Sequence, residues 1–425
     1  MDFSSADVNK LKGEFLQTAA DLFESVLSKP PTHNIVDLWK EHQHIRKTLE
    51  EISTKQALLG DTDVRLLKPR SSDDLACFLR WADGMGIKRY GVTVAECREV
   101  GGLGLLAEID VPEKECCLTV PRHAIISTDL AKKSSLKNLF ERDSIVRNMA
   151  NVGLALFICT QRVKSDSKWT SYLNVLPNVY TTPLFYTEEE LQYLKPSPVF
   201  EEALLFYRTV ARQFIYYLLL IGRNDLYDRA SRNRKARTQP PLMYSSPFTV
   251  VNFTFSLYRW SVGTVTTRIN LIPSETTRAD GTVPALIPML DMANHEVVLG
   301  SDDLGDAVSF STENDYAEVL ASKDIRAGEW VSMFYGRRSC AEHLLHNGFV
   351  PPDDNPFDSY KLKISKCGFL ATSEPTTLRK AVDFLKNRFA ILERAYGTIA
   401  EGRTSNETNM ERLKKAEVAI LKNAR

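Results

Sequence analysis

The chain has 425 residues, 43% hydrophobic and 25% charged, with 54 Lys+Arg against 54 Asp+Glu. That length can bury a large core spread over two or three domains. The balanced charge leaves no overall field to draw in nucleic acid or an anionic membrane, so neither is expected as a direct partner.

The N-terminal MDFSSADVNK lacks the basic and apolar regions of a signal peptide. In LKGEFLQTAADLFESVL, Leu11, Phe15, Leu22 and Val26 recur at helical steps, and Pro30-Pro31 stops that helix. A second, polar helix follows in IVDLWKEHQHIRKTLEEISTKQAL. A third, SSDDLACFLRWADGMG, is capped by Ser71 or Ser72 and ended by Gly84. From about residue 88 the pattern alternates and is punctuated by Gly and Pro, as short strands and turns would be. Helices return between roughly 127 and 235, with YYLLLIG (216–222) as the most apolar run, too short to span a bilayer. Residues 223–241, RNDLYDRASRNRKARTQPP, read as a basic, Pro-ended surface loop. The alternating pattern resumes near 282 and runs to about 336, and the tail after 368 is helical. Seven cysteines (77, 97, 116, 117, 159, 340, 367) show no C-x-x-C spacing. Neither structural zinc nor a disulfide framework is expected, and the reading is a reduced, intracellular protein.

One echo runs across the two β regions. LLAEIDVPEKECCLTV (105–120) aligns with VLASKDIRAGEWVSMF (319–334), placing Ala107 on Ala321, Val111 on Ile325 and Glu115 on Glu329. Each copy reads as strand, tight turn, strand. Two such units split by a helical insertion must pair across it, which gives a fold of high contact order.

Four stretches could carry chemistry, and each has a bland reading. Gly101-Gly102-Leu103-Gly104 could let a ligand approach the backbone, yet it matches neither a Rossmann fingerprint nor a P-loop and also suits a plain turn. Asn294-His295 could grip a ligand or be a satisfied loop pair. Tyr335, ending the strand VSMFYG, could be core. Arg268 and Asn270, in TTRINLIP, could be a cap or a turn before Pro273. No nucleophile elbow and no metal-ligand cluster is visible.

Their order is informative. G-x-G in an early β segment, a long helical insertion, R-x-N, D-M-x-N-H and then a strand ending F-Y-G resembles a SET-domain protein methyltransferase over nearly the whole chain. The resemblance is to the branch typified by Rubisco lysine methyltransferase and, within it, to the enzymes that N-methylate a histidine of actin. YRWSVGTVTTRINLIP, ALIPMLDMANHE, MFYGRRSCAEHLLHNGF and GLGLLAEIDVPEKE carry it. It implies an α+β fold with several small sheets and a pseudoknot: an N-terminal helical segment (1–87), a SET domain (88–336) with a helical insertion at about 127–250, and a post-SET segment with a shortened helical substrate-binding domain (337–425).

It also implies S-adenosyl-L-methionine as cofactor. Arg70, Gly102, Leu103, Gly104, Arg268, Asn294, His295, Tyr335 and Asn347 would line the cofactor site. Tyr335 and Asn270 would be catalytic, and Ile269, Asn270, Leu290, Asp291 and Arg338 would face the substrate. The expected activity is protein-L-histidine N-tele-methylation, with actin as protein partner, a monomeric state and a cytoplasmic location with nuclear access open. A lysine nucleophile has a pKa near 10.4 and must first lose a proton, whereas a histidine near 6.5 needs only the right tautomer. An amide such as Asn270 can fix that tautomer. Leu290 leaves a lysine methyltransferase of the same fold open, and the short C-terminal domain leaves a non-catalytic regulatory module open.

Overall fold

The computed structural model describes residues 4–60, 67–232, 239–275, 281–297, 308–352, 354–363 and 375–424. The chain packs as two units: residues 1–180 with 208–335, and residues 181–207 with 336–425.

In the larger unit the N-terminal helices start where side chains can satisfy the first free backbone N–H groups. Ser4 and Asp7 form a capping box for Ser5–Leu22, and Asn34 accepts from Val36 N and Asp37 N to open Ile35–Leu59. The two helices pack together, burying Phe15, Ala19 and Leu22 on one and Leu38, Ile45, Leu49 and Ile52 on the other. Each large apolar side chain removed from water in this way contributes about 1.5–3 kcal/mol. Ser71 and Asp74 box the start of Ser72–Gly84, and Arg70 sits immediately before that cap.

The strands are β1 (Lys88–Arg89), β2 (Val92–Cys97), β3 (Gly102–Ala107), β4 (Cys116–Pro121), β5 (Ile126–Ser127), β6 (Asn270–Pro273), β7 (Thr282–Leu286), β8 (Asn294–His295), β9 (Val308–Ser311), β10 (Tyr316–Leu320) and β11 (Trp330–Met333). They form three small sheets, ordered β1-β4-β10-β9, β2-β3-β11-β8 and β5-β7-β6. The two echoing segments are joined to each other reciprocally. β3 pairs antiparallel with β11 and β4 with β10, while Val111 and Ile325, aligned by sequence, form a bridge between them. Ala107 N donates to Glu329 O and Ala321 N to Glu115 O, both at 2.9 Å. Asp110 Oδ1 accepts from Ala327 N at 2.8 Å and Asp324 Oδ1 from Glu113 N at 2.9 Å. Even the left-handed turn residues correspond, Lys114 at φ 68° and Gly328 at φ 88°. An approximate two-fold relation thus holds together strands that lie far apart in sequence.

The helical insertion carries Ala150–Val163, buried along most of its length, and Thr170–Val175. Its long helix runs Val199–Arg232, so the first ten residues of the expected basic loop are helical; residues 233–238 lie outside the described residues. The helix outruns the short apolar segment visible in sequence. By length and composition Val199–Asp228 could cross a bilayer, but 67% of its most apolar stretch is buried inside the protein. Six cysteines are described and free, and Cys367 lies outside the described residues.

The smaller unit is built from Glu188–Tyr193, Cys340–Glu342 running into a π turn at His343–Asn347, Pro375–Tyr396 and Ser405–Asn423. Gly348 ends the π turn at φ 85°, and a Cβ there would meet the Thr181 hydroxyl at 2.6 Å, so both conformation and space demand glycine. In the interior Glu417 accepts from Ser197 and Tyr396, both at 2.8 Å.

Candidate active site

The sheet β2-β3-β11-β8 gathers three of the motifs. Cys97 of β2 stands opposite Gly102 of β3, so the glycine run is the turn and the first residues of the returning strand. Beside Gly102 the space a Cβ would fill is open. At Gly104 a Cβ would meet the Trp330 ring at 2.8 Å and Asn294 Nδ2 at 3.2 Å. The first glycine therefore leaves backbone approachable, and the second lets β3, β11 and β8 close together. β8 runs parallel to β11, with Asn294 opposite Ser332 and His295 opposite Met333.

Side chains lock this arrangement. Asn294 Nδ2 donates to Leu103 O at 3.3 Å, tying the Asn-His pair to the glycine strand. Tyr335 N donates to His295 Nδ1 at 3.2 Å, which assigns the imidazole proton to Nε2. The Tyr335 hydroxyl donates to Ala293 O at 2.8 Å, and its ring lies 5.2 Å from that of His295. Tyr335 sits just past the end of β11, with its hydroxyl and its amide both bound to the Ala293–His295 segment.

Beneath this segment lies a buried charge pair. Helix Phe255–Arg268 ends with Arg268, whose Nη1 donates to Asp291 O at 2.8 Å and to Asp291 Oδ2 at 3.3 Å. Tyr172, on Thr170–Val175, donates to the same Oδ2 at 2.5 Å. Burial pushes the Asp291 carboxyl above the usual carboxylate range, while Arg268 and the Tyr172 hydroxyl pull it down. Burial likewise works against the Arg268 charge, but Asp291 together with Tyr180, Tyr172 and Tyr335 outweighs it, and the guanidinium titrates above its ordinary value. Burial, then Asp291, drives the Tyr172 phenol well above the usual range, so it stays a donor. Arg268 Nε and Asp291 Oδ1 are buried with no hydrogen-bond partner among the described residues. Met289, fully buried, enters the turn at φ 67°, ψ −46°. For a side chain of that size this is strained backbone, at a cost of about 1–3 kcal/mol, and the surrounding packing holds it in place.

The remaining expected residues are placed as follows. Asn270 opens β6, half-buried, with Nδ2 donating to Arg268 O at 3.3 Å, and Ile269 is the helix C-cap just before it. Arg70 pairs with Glu96 on β2 at 2.6 Å, next to the glycine turn. Leu290 has no exposed surface, so its side chain belongs to the core under the site rather than to a wall facing substrate, and the Asp291 carboxylate is likewise turned inward. Arg338 and Asn347 belong to the smaller unit, where Arg338 Nη1 donates to Asn347 Oδ1 at 2.7 Å. Sequence reasoning did not single out Tyr172, Trp330 or Met289. Tyr172 lies 119 residues from its partner and carries no local signal. Trp330 could have been flagged as the large residue facing the second glycine of a repeated strand.

No protein-family model matches the chain. Over 372 residues it is 32% identical to the actin-histidine N-methyltransferases of Gallus gallus, Callithrix jacchus and Homo sapiens, a match that covers 87% of this chain and 57% of each relative. The chain thus spans a little over half the length of these relatives. The crystal structure of the SET domain of LSMT bound to lysine and AdoHcy matches with a TM-score of 0.62 at 17% identity, covering 84% of this chain and 90% of that one. Rubisco LSMT bound to sinefungin and monomethyllysine matches with a TM-score of 0.60 at 18% identity, covering 83% and 90%. The chain has the SET-domain fold seen in Rubisco LSMT, and in sequence it is similar to actin-histidine N-methyltransferase.

Proposed function

We propose that this chain is an S-adenosylmethionine-dependent protein-histidine N-methyltransferase acting on a histidine of actin in the cytoplasm. The observation that carries the reading is the convergence of Gly102–Gly104, Asn294-His295 and Tyr335 at the edge of one sheet, with Arg268 and Asn270 at the adjoining helix end. The relatives' names supply the substrate. The residues fit the donor: open backbone at Gly102 can take its polar edges, Asn294 and His295 offer amide and imidazole donors, and Arg70 offers a guanidinium to a carboxylate.

When bound, S-adenosylmethionine supplies an electrophilic methyl on a sulfonium. The chain's own work is to hold an acceptor in line with that methyl and to keep water away, because alignment carries much of the rate. Tyr335, fixed through both its hydroxyl and its amide, gives the transfer site a rigid aromatic wall. Asn270 stands half-exposed at the head of β6, where its amide can hold one nitrogen of a substrate imidazole and leave the other a bare acceptor. A histidine acceptor is mostly neutral at physiological pH and needs no general base, consistent with a site that places no free carboxylate or lysine among these residues.

The test is incubation with methyl-labelled S-adenosylmethionine and purified actin, followed by mass-spectrometric location of the label. Label on histidine is expected. Label on lysine points instead to the lysine-methylating reading, and no label to a non-catalytic module.

A further inference from the structure

We infer that Tyr172 is a positioning residue of the donor site, acting through Asp291 on the segment that carries Asn294 and His295; the inference rests on the donor-binding reading above. Tyr172 is fully buried, and its hydroxyl bonds to none of the glycine, Asn-His or Tyr335 motifs but to the carboxylate on which their turn is anchored. Its ring is clamped from the other side. Trp81 stacks on it at 6.2 Å and 16°, and Phe78 lies at 6.0 Å. Both belong to the helix Ser72–Gly84, whose cap follows Arg70. Trp81 is itself pinned, its Nε1 donating to Lys168 O at 2.6 Å.

The consequence runs along the chain from Asp291. Arg268 takes both the carboxylate and the carbonyl of Asp291, and two residues later Ala293 O receives the Tyr335 hydroxyl. The carboxylate has Oδ1 without a hydrogen-bond partner among the described residues, and Oδ2 shared between Tyr172 and Arg268. Without the phenol, the Arg268 contact at 3.3 Å would be the only side-chain contact among the described residues that compensates the buried carboxylate. The charged and titratable groups facing Asp291 come from each packed element: Arg268 from Phe255–Arg268, Tyr172 from Thr170–Val175, and Tyr180 from the turn after it. Tyr335 acts on the same guanidinium. Of these, Tyr172 is a neutral donor that can be deleted at the cost of a single oxygen. Removing it raises the tendency of Asp291 to take a proton, and a protonated Asp291 releases its grip on Arg268 and on the turn.

The experiment is calorimetric binding of S-adenosylhomocysteine to the full chain across about pH 5 to 9, for wild type and Tyr172→Phe. Tyr172→Phe keeps the ring stack. Its affinity at neutral pH should fall about tenfold, the value of one hydrogen bond to a charged group. Its acid-side loss of binding should begin about one pH unit higher than in wild type. Tyr216→Phe, which removes a phenol donating to Asp143 at 2.7 Å elsewhere in the same unit, should change neither. Asp291→Asn should flatten the acid limb, and adding Tyr172→Phe to it should move nothing further. Unchanged affinity and acid limb in folded Tyr172→Phe overturn the inference. So does a loss of affinity equal at every pH that tracks a lower melting temperature, because that is mere packing. If Tyr172→Phe does not fold, an acid limb that persists in Asp291→Asn overturns it. If wild type binds no S-adenosylhomocysteine at any pH, the donor reading itself falls and takes the inference with it.

Discussion

Each unit buries a carboxylate that accepts a tyrosine hydroxyl, Asp291 from Tyr172 at 2.5 Å and Glu417 from Tyr396 at 2.8 Å. They differ in their remaining partners. Asp291 faces the Arg268 guanidinium, and the pair braces the turn under the site. Glu417 receives Ser197 instead, and the nearby cation, Lys414, lies over the Tyr193 ring at 4.7 Å. Burial therefore pushes the Glu417 carboxyl up to about 7. Burial raises both carboxyls, but at Asp291 a guanidinium is the main group opposing the rise, whereas at Glu417 it is the Tyr396 and Ser197 hydroxyls.

The largest expected effect comes from breaking the brace. Arg268→Met leaves Asp291 buried without its cation and should cost about 3–5 kcal/mol in urea unfolding at neutral pH. The loss should shrink at acidic pH, where Asp291 can take a proton; a loss independent of pH would mean that Asp291 is not ionised in the native protein. Next come the residues above the brace. Under the proposed function, Asn270→Ala should retain S-adenosylhomocysteine binding while methyl transfer to actin drops by about 10²–10³, the cost of losing one well-aimed donor. Unchanged turnover would remove Asn270 from the mechanism.

The smaller unit is tested through the pH dependence of its own carboxyl. The Glu417 pKa is raised on folding from its ordinary 4.5 to about 7. The folded state thus holds the proton more tightly. Its contribution to stability is full below the unfolded value and is lost as pH rises through about 7, with an upper limit of about 3 kcal/mol. Glu417→Gln should flatten that slope in denaturation measured across the window, and an unchanged slope would assign it to another group. Gly104→Ala is smaller, about 1–3 kcal/mol, because the Trp330 ring, 2.8 Å from such a Cβ, must move, and S-adenosylhomocysteine binding should weaken with it. The mirrored turns give the smallest effect. Lys114→Gly should stabilise the chain by up to about 1 kcal/mol, since Lys114 adopts the left-handed conformation that its counterpart Gly328 adopts without strain. No gain would mean that the Lys114 side chain contributes contacts that offset the strain.

The internal echo was legible because it rests on local pattern. The residues aligned by sequence, Val111 with Ile325 and Ala107 with Ala321, occupy equivalent places in the reciprocal pairing. The glycine strand, Asn294-His295 and Tyr335 were legible because each pairs a short motif with a strand end. The Asp291 brace was not, because a buried charge announces its partner only in three dimensions. Nothing near Tyr172 distinguishes it from the core tyrosines Tyr217 and Tyr258. Leu290 shows the converse. The resemblance implied a substrate-facing role, but after the strained turn at Met289 the side chain is buried in the core. The basic run from 223 misled for a related reason. Charge predicts exposure, not loss of helix, and Lys and Arg are good helix formers.

The proposed donor site draws on three segments far apart in sequence. Hydrogen exchange of the full chain with and without S-adenosylhomocysteine tests it most directly, because it reads each segment separately. Slowed exchange is expected together at 101–106, 291–296 and 331–336. Binding with protection confined to one of these segments, or falling elsewhere in the larger unit, would contradict it.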